Sequence, residues 1–270
     1  MAILEKMLKK LRSFDNVDLD LYIPEIRNVV GLRLLQSRIQ YLVIEDFFTQ
    51  EYAEEMKRAF DIELKNRGLA KANDKEKFSK MFNYDAYNYT PFPDIEGPFR
   101  VFFSREWYEL FEKIFGRKFD ENVMTTLHHH EINSETGYVH NDFGIYAFRQ
   151  RPFINKLNHW YYNSNYQTHK PGDDVSKQEN VEFTRRSVAL IYYMNGDGWH
   201  EGDGGETGFF NEKKDVRPFV KIAPKPNRLL VFKINQNSYH AFIKNIKYPR
   251  NTIIQWFHEP FEMPTNIKKV

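Results

Sequence analysis

Two short runs contain residues able to hold a metal ion. In Gly137-Tyr-Val-His140-Asn-Asp142-Phe143, a histidine and a carboxylate are separated by one residue. On extended backbone, residues two apart project to the same side, so His140 and Asp142 can face one point in space. An imidazole and a carboxylate make two of the three ligands of the facial triad that binds iron(II) and leaves positions open. The second run extends from Tyr239-His240 to Pro249-Arg250-Asn-Thr252. If His240 ends a turn after one strand and Arg250 opens the next, a hairpin brings both side chains into one cavity. Arginine presents a rigid fork that grips a carboxylate through two parallel hydrogen bonds. Thr252 shares a strand face with Arg250 and can add a hydroxyl to the same ligand.

Each run specifies little by itself, since a His-x-Asp pair can also be a surface loop and Arg250 a surface cation. Composition narrows the chemistry. The chain has no cysteine, which excludes disulfides and thiolate ligands, so a metal must sit on His, Asp or Glu. Lys and Arg total 39 against 37 acidic residues, a net charge of +2 that gives no electrostatic case for nucleic acid. Apolar residues make up 41% and charged residues 28%, as in a globular protein, and no run is long enough to span a membrane. Met1–Arg12 lacks a signal-peptide core, and its apolar spacing predicts an amphipathic helix docked on the domain. The cytoplasm is the default compartment.

The elements that must position these residues change character along the chain. The first third reads as mostly helical, apart from a strand-like run at Tyr41–Asp46. A helix from about Thr49 to Arg67 has Thr49 as its cap and Gly68 past its end, and a second runs from about Ser104 to Phe115. Residues 83–98 read as an irregular loop. From Val123 onward, short β-branched and aromatic runs dominate, clearest at Arg186–Met194, Arg228–Ile234 and Asn251–Phe257. Strands at close spacing without intervening helices predict a mainly β fold with flanking helices, a β-sandwich or jelly-roll. We divide the chain into an N-terminal helical extension, 1–38, and a catalytic domain, 39–270. The polar and aromatic stretch 151–183 reads as an insertion.

The motifs occur in a telling order. His-x-Asp is followed by a strand ending Tyr192-Tyr-Met-Asn195, then Gly204-Gly-Glu-Thr207, Pro224-Lys-Pro-Asn-Arg-Leu-Leu-Val-Phe232, His240 and Arg250. This series resembles the prolyl-hydroxylase branch of the iron(II)- and 2-oxoglutarate-dependent oxygenases, the oxygen-sensing prolyl hydroxylases in particular. The likeness covers about residues 123–258, with a weaker echo at Leu42–Met56. It implies a double-stranded β-helix, cupin-like core with a helical N-terminal region. His140, Asp142 and His240 would be the catalytic iron ligands. Arg250 and Tyr193 would bind the distal carboxylate of 2-oxoglutarate, and Thr207 and Trp256 would line that pocket. His130 stands where relatives carry a co-substrate-facing tyrosine, so it could bond 2-oxoglutarate, contact substrate or fill space.

The resemblance further implies Fe(II), with 2-oxoglutarate and O2 as co-substrates, and L-ascorbate as a reductant to which relatives respond. Oxidative decarboxylation to succinate and CO2 would accompany hydroxylation of an unactivated C–H bond. Relatives that chlorinate lack the carboxylate ligand, so Asp142 points to hydroxylation. The aromatic insertion, with Trp160-Tyr-Tyr162, favours a small-molecule substrate such as an amino acid or its conjugate, and it can equally be a lid or a packed decoration. The alternative is a peptidyl side chain, such as proline, of a protein partner. Nucleic-acid demethylase relatives carry a second arginine soon after the first, whereas the next Lys or Arg after Arg250 is Lys268. A non-catalytic jelly-roll module would be expected to have a damaged triad. A zinc or manganese cupin enzyme would have no use for Arg250. His128-His-His130 reads as a site wall rather than a second metal centre, because only alternate residues of a strand share a face. The glycine-rich run 196–208 has neither P-loop nor EF-hand spacing and reads as a turn. Oligomeric state is not legible here.

Overall fold

The computed structural model describes residues 29–30, 39–82, 84–90, 97–120, 122–149, 167–168 and 181–262. The expected helix at residues 1–12 and the Trp160–Tyr162 run lie outside the described residues. So does most of the 1–38 extension, of which only the strand β1, Val29–Val30, is described.

Two helices form where the sequence predicts. Helix α1, Gln50–Arg67, is capped by Thr49, whose hydroxyl accepts from the Tyr52 amide, and it buries Tyr52, Met56 and Phe60 at four-residue spacing. Helix α2, Arg105–Phe115, starts at the Ser104 cap and ends at Gly116 in the left-handed conformation, φ 63°. It follows a 3-10 turn, Pro98–Phe103.

The remainder is β structure. The larger sheet contains β1, β2 (Tyr41–Ile44), β3 (Leu69–Ala70), β4 (Phe78–Lys80), β5 (Tyr87–Tyr89) and β6 (Val123–His130). It also takes in β7 (Ile145–Arg149), β8 (Gln167–Thr168), β9 (Val181–Tyr193), and two later strands, Arg228–Lys233 and Arg250–Pro260. Numbered in chain order, the smaller sheet contributes β10 (Thr207–Phe209), β11 (Val220–Ile222) and β13 (His240–Phe242). Arg228–Lys233 is therefore β12 and Arg250–Pro260 is β14. The main path is β1-β2-β12-β9-β14-β6-β5-β4-β3, with β7 and β8 beside the start of β9; the smaller sheet runs β11-β10-β13. All described pairings are antiparallel except β3 with β4. Two facing sheets of this kind are the jelly-roll core expected from the sequence.

Three expectations need correction. The described part of the first third is not mostly helical: β3, β4 and β5 extend the large sheet, and β5 pairs with β6 from Tyr87↔His129 to Tyr89↔Leu127. These strands are two or three residues long, and tertiary pairing rather than local propensity defines them. His240 and Arg250 do not share a hairpin, because β13 pairs with β10 while β14 lies between β6 and β9. The connection between them crosses from one sheet to the other. The supposed insertion also ends early: Val181–Phe183 already belongs to β9 and pairs with β7.

The helices brace the back of the large sheet through a buried amide. Gln255 accepts from Trp107 Nε1 at 2.6 Å and donates to Phe102 O at 2.7 Å and Thr125 Oγ1 at 2.8 Å. This fixes β14 from behind while Arg250, Ile254 and Trp256 line the cavity at its front.

Candidate metal and oxoacid site

The cavity lies between the two sheets and measures about 480 Å³. Its large-sheet wall carries His128, His130, Arg186, Arg250 and Trp256, and its small-sheet wall carries Thr207, His240 and Phe242.

His140 is joined to the small sheet by a single bridge. Its amide donates to His240 O at 3.1 Å, and the His240 amide donates back at 2.8 Å. The His-x-Asp pair therefore sits on extended backbone hooked to β13 rather than on a regular strand. Each ring is fixed through Nδ1, at 2.9 Å from Tyr138 O for His140 and 2.9 Å from Ser238 O for His240. A carbonyl only accepts, so both rings carry a proton on Nδ1, which leaves Nε2 as the nitrogen that can turn to a metal. Those Nε2 atoms lie 3.8 and 3.5 Å from the two oxygens of Asp142. One ligand atom from each of the three residues falls within 4.8 Å of the others.

Burial pushes Asp142 upward, yet the Arg186 guanidinium and the two histidines hold its carboxyl well below the usual range. Burial, then the neighbouring His240, lowers His140. An ionised carboxyl at Asp142 and a neutral ring at His140 are the forms in which these groups ligate a metal. Both carboxylate oxygens are tied to the chain. Arg186 Nη1 donates to Oδ1 at 3.1 Å, and Trp256 Nε1 donates to Oδ2 at 2.7 Å. The Arg186 guanidinium lies over Trp256 at 4.0 Å and over Tyr146 at 4.3 Å.

Arg250 is buried further into the cavity. Its Nη2 donates to Thr207 Oγ1 at 3.0 Å, and Tyr193 OH shares a 2.7 Å hydrogen bond with the same oxygen. Its guanidinium lies 5.2 Å from the Tyr193 ring and 5.1 Å from Phe242. Nη1 reaches His130 Nε2 at 3.5 Å. Burial and then the Arg250 charge hold His130 well below the usual histidine range, so it is neutral, with its proton on Nδ1. Arg250 Nε and Thr252 Oγ1 are buried without a protein partner. Orphaned polar atoms around a buried cation fit a carboxylate as their missing acceptor.

The structure thus brings every sequence-predicted site residue to one cavity or its immediate wall. Thr252 and Tyr193 lie behind the lining, and Trp256 bonds Asp142 rather than the Arg250 group. His128 faces the cavity and is pushed down to about 3 by burial and then by Arg250. His129 faces the other way and bonds Asn251 Oδ1 at 2.7 Å.

Two further residues line the cavity without a sequence motif to mark them. In the sequence Arg186 stands only as the start of a strand. By alternation it should face away from Ala189 and Ile191, but the pairing slips so that Phe257 faces Val188 while His258 faces Arg186. This bulge at Ser187 turns Arg186 into the cavity. The available signal was a charge directly beside the apolar run Val188–Met194. Tyr84, from the supposed irregular loop, also lines the cavity. No sequence pattern marks it.

Residues 156–258 match the sequence pattern of the 2OG-Fe(II) oxygenase superfamily, a span that includes His240 and Arg250 but begins after His140 and Asp142. A Pseudomonas putida prolyl-4-hydroxylase superposes with a TM-score of 0.53 at 12% identity, over 81% of this chain and 92% of that one. A Trichoplax adhaerens prolyl hydroxylase, solved with a peptide fragment of the hypoxia inducible factor oxygen degradation domain, gives 0.50 at 13% identity over 81% and 83%. At these identities the likeness establishes a common fold. No curated protein sequence matches the chain.

Proposed function

We propose that this chain is a 2OG-Fe(II) oxygenase, the superfamily whose pattern residues 156–258 match, and that it hydroxylates an amino-acid side chain presented on a peptide. The observation that carries the chemistry is the pairing of His140, Asp142 and His240 with the orphaned donors around Arg250 in one cavity. His140 and His240 hold iron(II) through Nε2, and Asp142 holds it through one carboxylate oxygen. Arg186 and Trp256 keep that carboxylate ionised and oriented. Arg250 takes the distal carboxylate of 2-oxoglutarate, with Tyr193, Thr207, Thr252 and His130 around it. When bound, iron and 2-oxoglutarate supply the oxidising power: with dioxygen, the keto acid becomes succinate and CO2 and a substrate C–H becomes C–OH. The chain's part is to bind, to orient and to limit water around the reacting carbon.

Peptide presentation is favoured by the rim. Phe82 is 90% exposed and Tyr138 57% exposed, next in sequence or space to the lining residues Met81 and Tyr84. Exposed aromatics beside a cavity suit a partner chain. The two structural neighbours described above are prolyl hydroxylases, one of them in complex with a peptide fragment. The second reading is a free amino acid or its conjugate, which a cavity of about 480 Å³ is large enough to enclose.

Anaerobic titration with iron(II) and 2-oxoglutarate tests the chemistry through the weak visible charge-transfer band. The band is expected in the unsubstituted protein and absent from Asp142→Ala/His240→Ala; an undiminished band in that variant would refute the ligand assignment. Succinate formation across prolyl and other peptides, set against free amino acids, then separates the two substrate readings.

A further inference from the structure

Tyr84 lies between β4 and β5 and reaches back over the cavity that holds the triad and Arg250. Its ring stands edge-on to His130, with centroids 5.8 Å apart, and to His140 at 6.5 Å. It therefore spans the space between the Arg250 group and the metal ligands. A third edge contact, 5.9 Å to Tyr138, holds it from the rim.

The way in is opened by Gly137. A Cβ on that residue would lie 2.6 Å from both Cζ and the hydroxyl of Tyr84, and closer still to Cε2. Real Cβ atoms do not approach other atoms so closely, so any side chain at 137 would push the phenol out. Gly137 is itself pinned, its amide donating to Phe242 O at 2.9 Å, and the Tyr84 hydroxyl has a hydrogen bond with the backbone of the same Phe242. Residue 137 thus has no side chain at the point where the phenol tip docks beside β13.

We infer that Tyr84 is a co-substrate-binding residue, whose hydroxyl donates to the oxoacid that Arg250 holds, with Gly137 as the gap that admits it. The inference rests on the oxygenase reading above. Arg250 and Asp142 both act electrostatically on the hydroxyl, one from each end of the cavity. Burial pushes it up to about 12 against the pull of Arg250, so it stays a neutral O–H donor at working pH. A neutral donor suits an anion without adding charge beside Arg250. His130 lines the same space from β6, with its ring edge-on to that of Tyr84.

The test is calorimetric binding of 2-oxoglutarate to the Mn(II)-loaded protein without oxygen, alongside Mn(II) affinity and the thermal midpoint. Tyr84→Phe keeps the ring and is expected to raise Kd for 2-oxoglutarate about five- to tenfold, the effect of one lost hydrogen bond. Mn(II) affinity should stay within about twofold. Gly137→Ala should raise Kd at least as much, and should add nothing in a Tyr84→Ala background, where no ring needs the gap. Unchanged Kd in Tyr84→Phe would overturn the inference while leaving the oxygenase reading intact. Equal losses of metal and 2-oxoglutarate binding would also overturn it, by making Tyr84 merely structural. Absence of 2-oxoglutarate binding by the unsubstituted protein would overturn both readings.

Discussion

Asp142 is the residue on which the charge of the site turns. It accepts from Arg186 on one oxygen and from Trp256 on the other, and both histidine Nε2 atoms point toward it. Removing a group that holds a ligand typically weakens metal binding ten- to a hundredfold. Arg186→Leu is therefore expected to lower iron or Mn(II) affinity by about that factor with the fold retained, as measured by metal titration. Unaltered affinity would show that Trp256 alone suffices. At Arg250 geometry matters more than charge. Arg250→Lys keeps the cation but loses the fork that spans Thr207 and His130, so KM for 2-oxoglutarate should rise by at least about tenfold with metal affinity unchanged.

At the scale of elements, the site depends on how β14 is held. Its front carries Arg250 and Trp256, and its back is tied to α2, the 3-10 turn and β6 through Gln255. Gln255→Leu removes three buried hydrogen bonds and strands the Trp107 indole N–H, the Phe102 carbonyl and the Thr125 hydroxyl. The expected cost is about 2–4 kcal/mol in urea unfolding, with 2-oxoglutarate binding impaired through β14. A loss under about 1 kcal/mol would mean that water or repacking replaces the amide. The bulge at Ser187 matters for a different reason: it changes which residue of β9 faces the cavity.

Across the whole molecule, several histidines are kept neutral. Burial, followed by nearby arginine charge, holds His130 and His258 well below the ordinary value of 6.5 and His128 at about 3. In the unfolded chain these rings protonate near 6.5. Below that pH the unfolded state binds protons that the folded state refuses, so stability is full above about 6.5 and falls as the solution is acidified. Asp142, whose carboxyl is depressed, adds a loss of the same sign at more acidic pH, below its ordinary 3.8. Urea unfolding of the metal-free protein should therefore be nearly flat from pH 8 to 7 and decline steadily from 6.5 to 5. Stability that is level across that whole range would show that the three rings are not buried in neutral form.

The sequence by itself carried the candidate ligands and the regular elements. Ligand-capable residue types, the absence of cysteine and the order of His-x-Asp, Gly-Gly-Glu-Thr, His240 and Arg250 depend on identity and spacing, which the chain carries directly. Strands β9, β12 and β14 and both described helices were legible because burial writes its period into apolar residues and caps mark helix ends. Only the tertiary structure decided which side chains meet. His240 and Arg250 turned out to share a cavity across two sheets instead of along one hairpin, because strand pairing is long-range and leaves no local mark. Arg186 entered the cavity through a one-residue slip that alternation cannot foresee, and Tyr84 entered through the gap at Gly137. A missing Cβ is visible in the sequence; what occupies its place depends on a segment brought there by the fold.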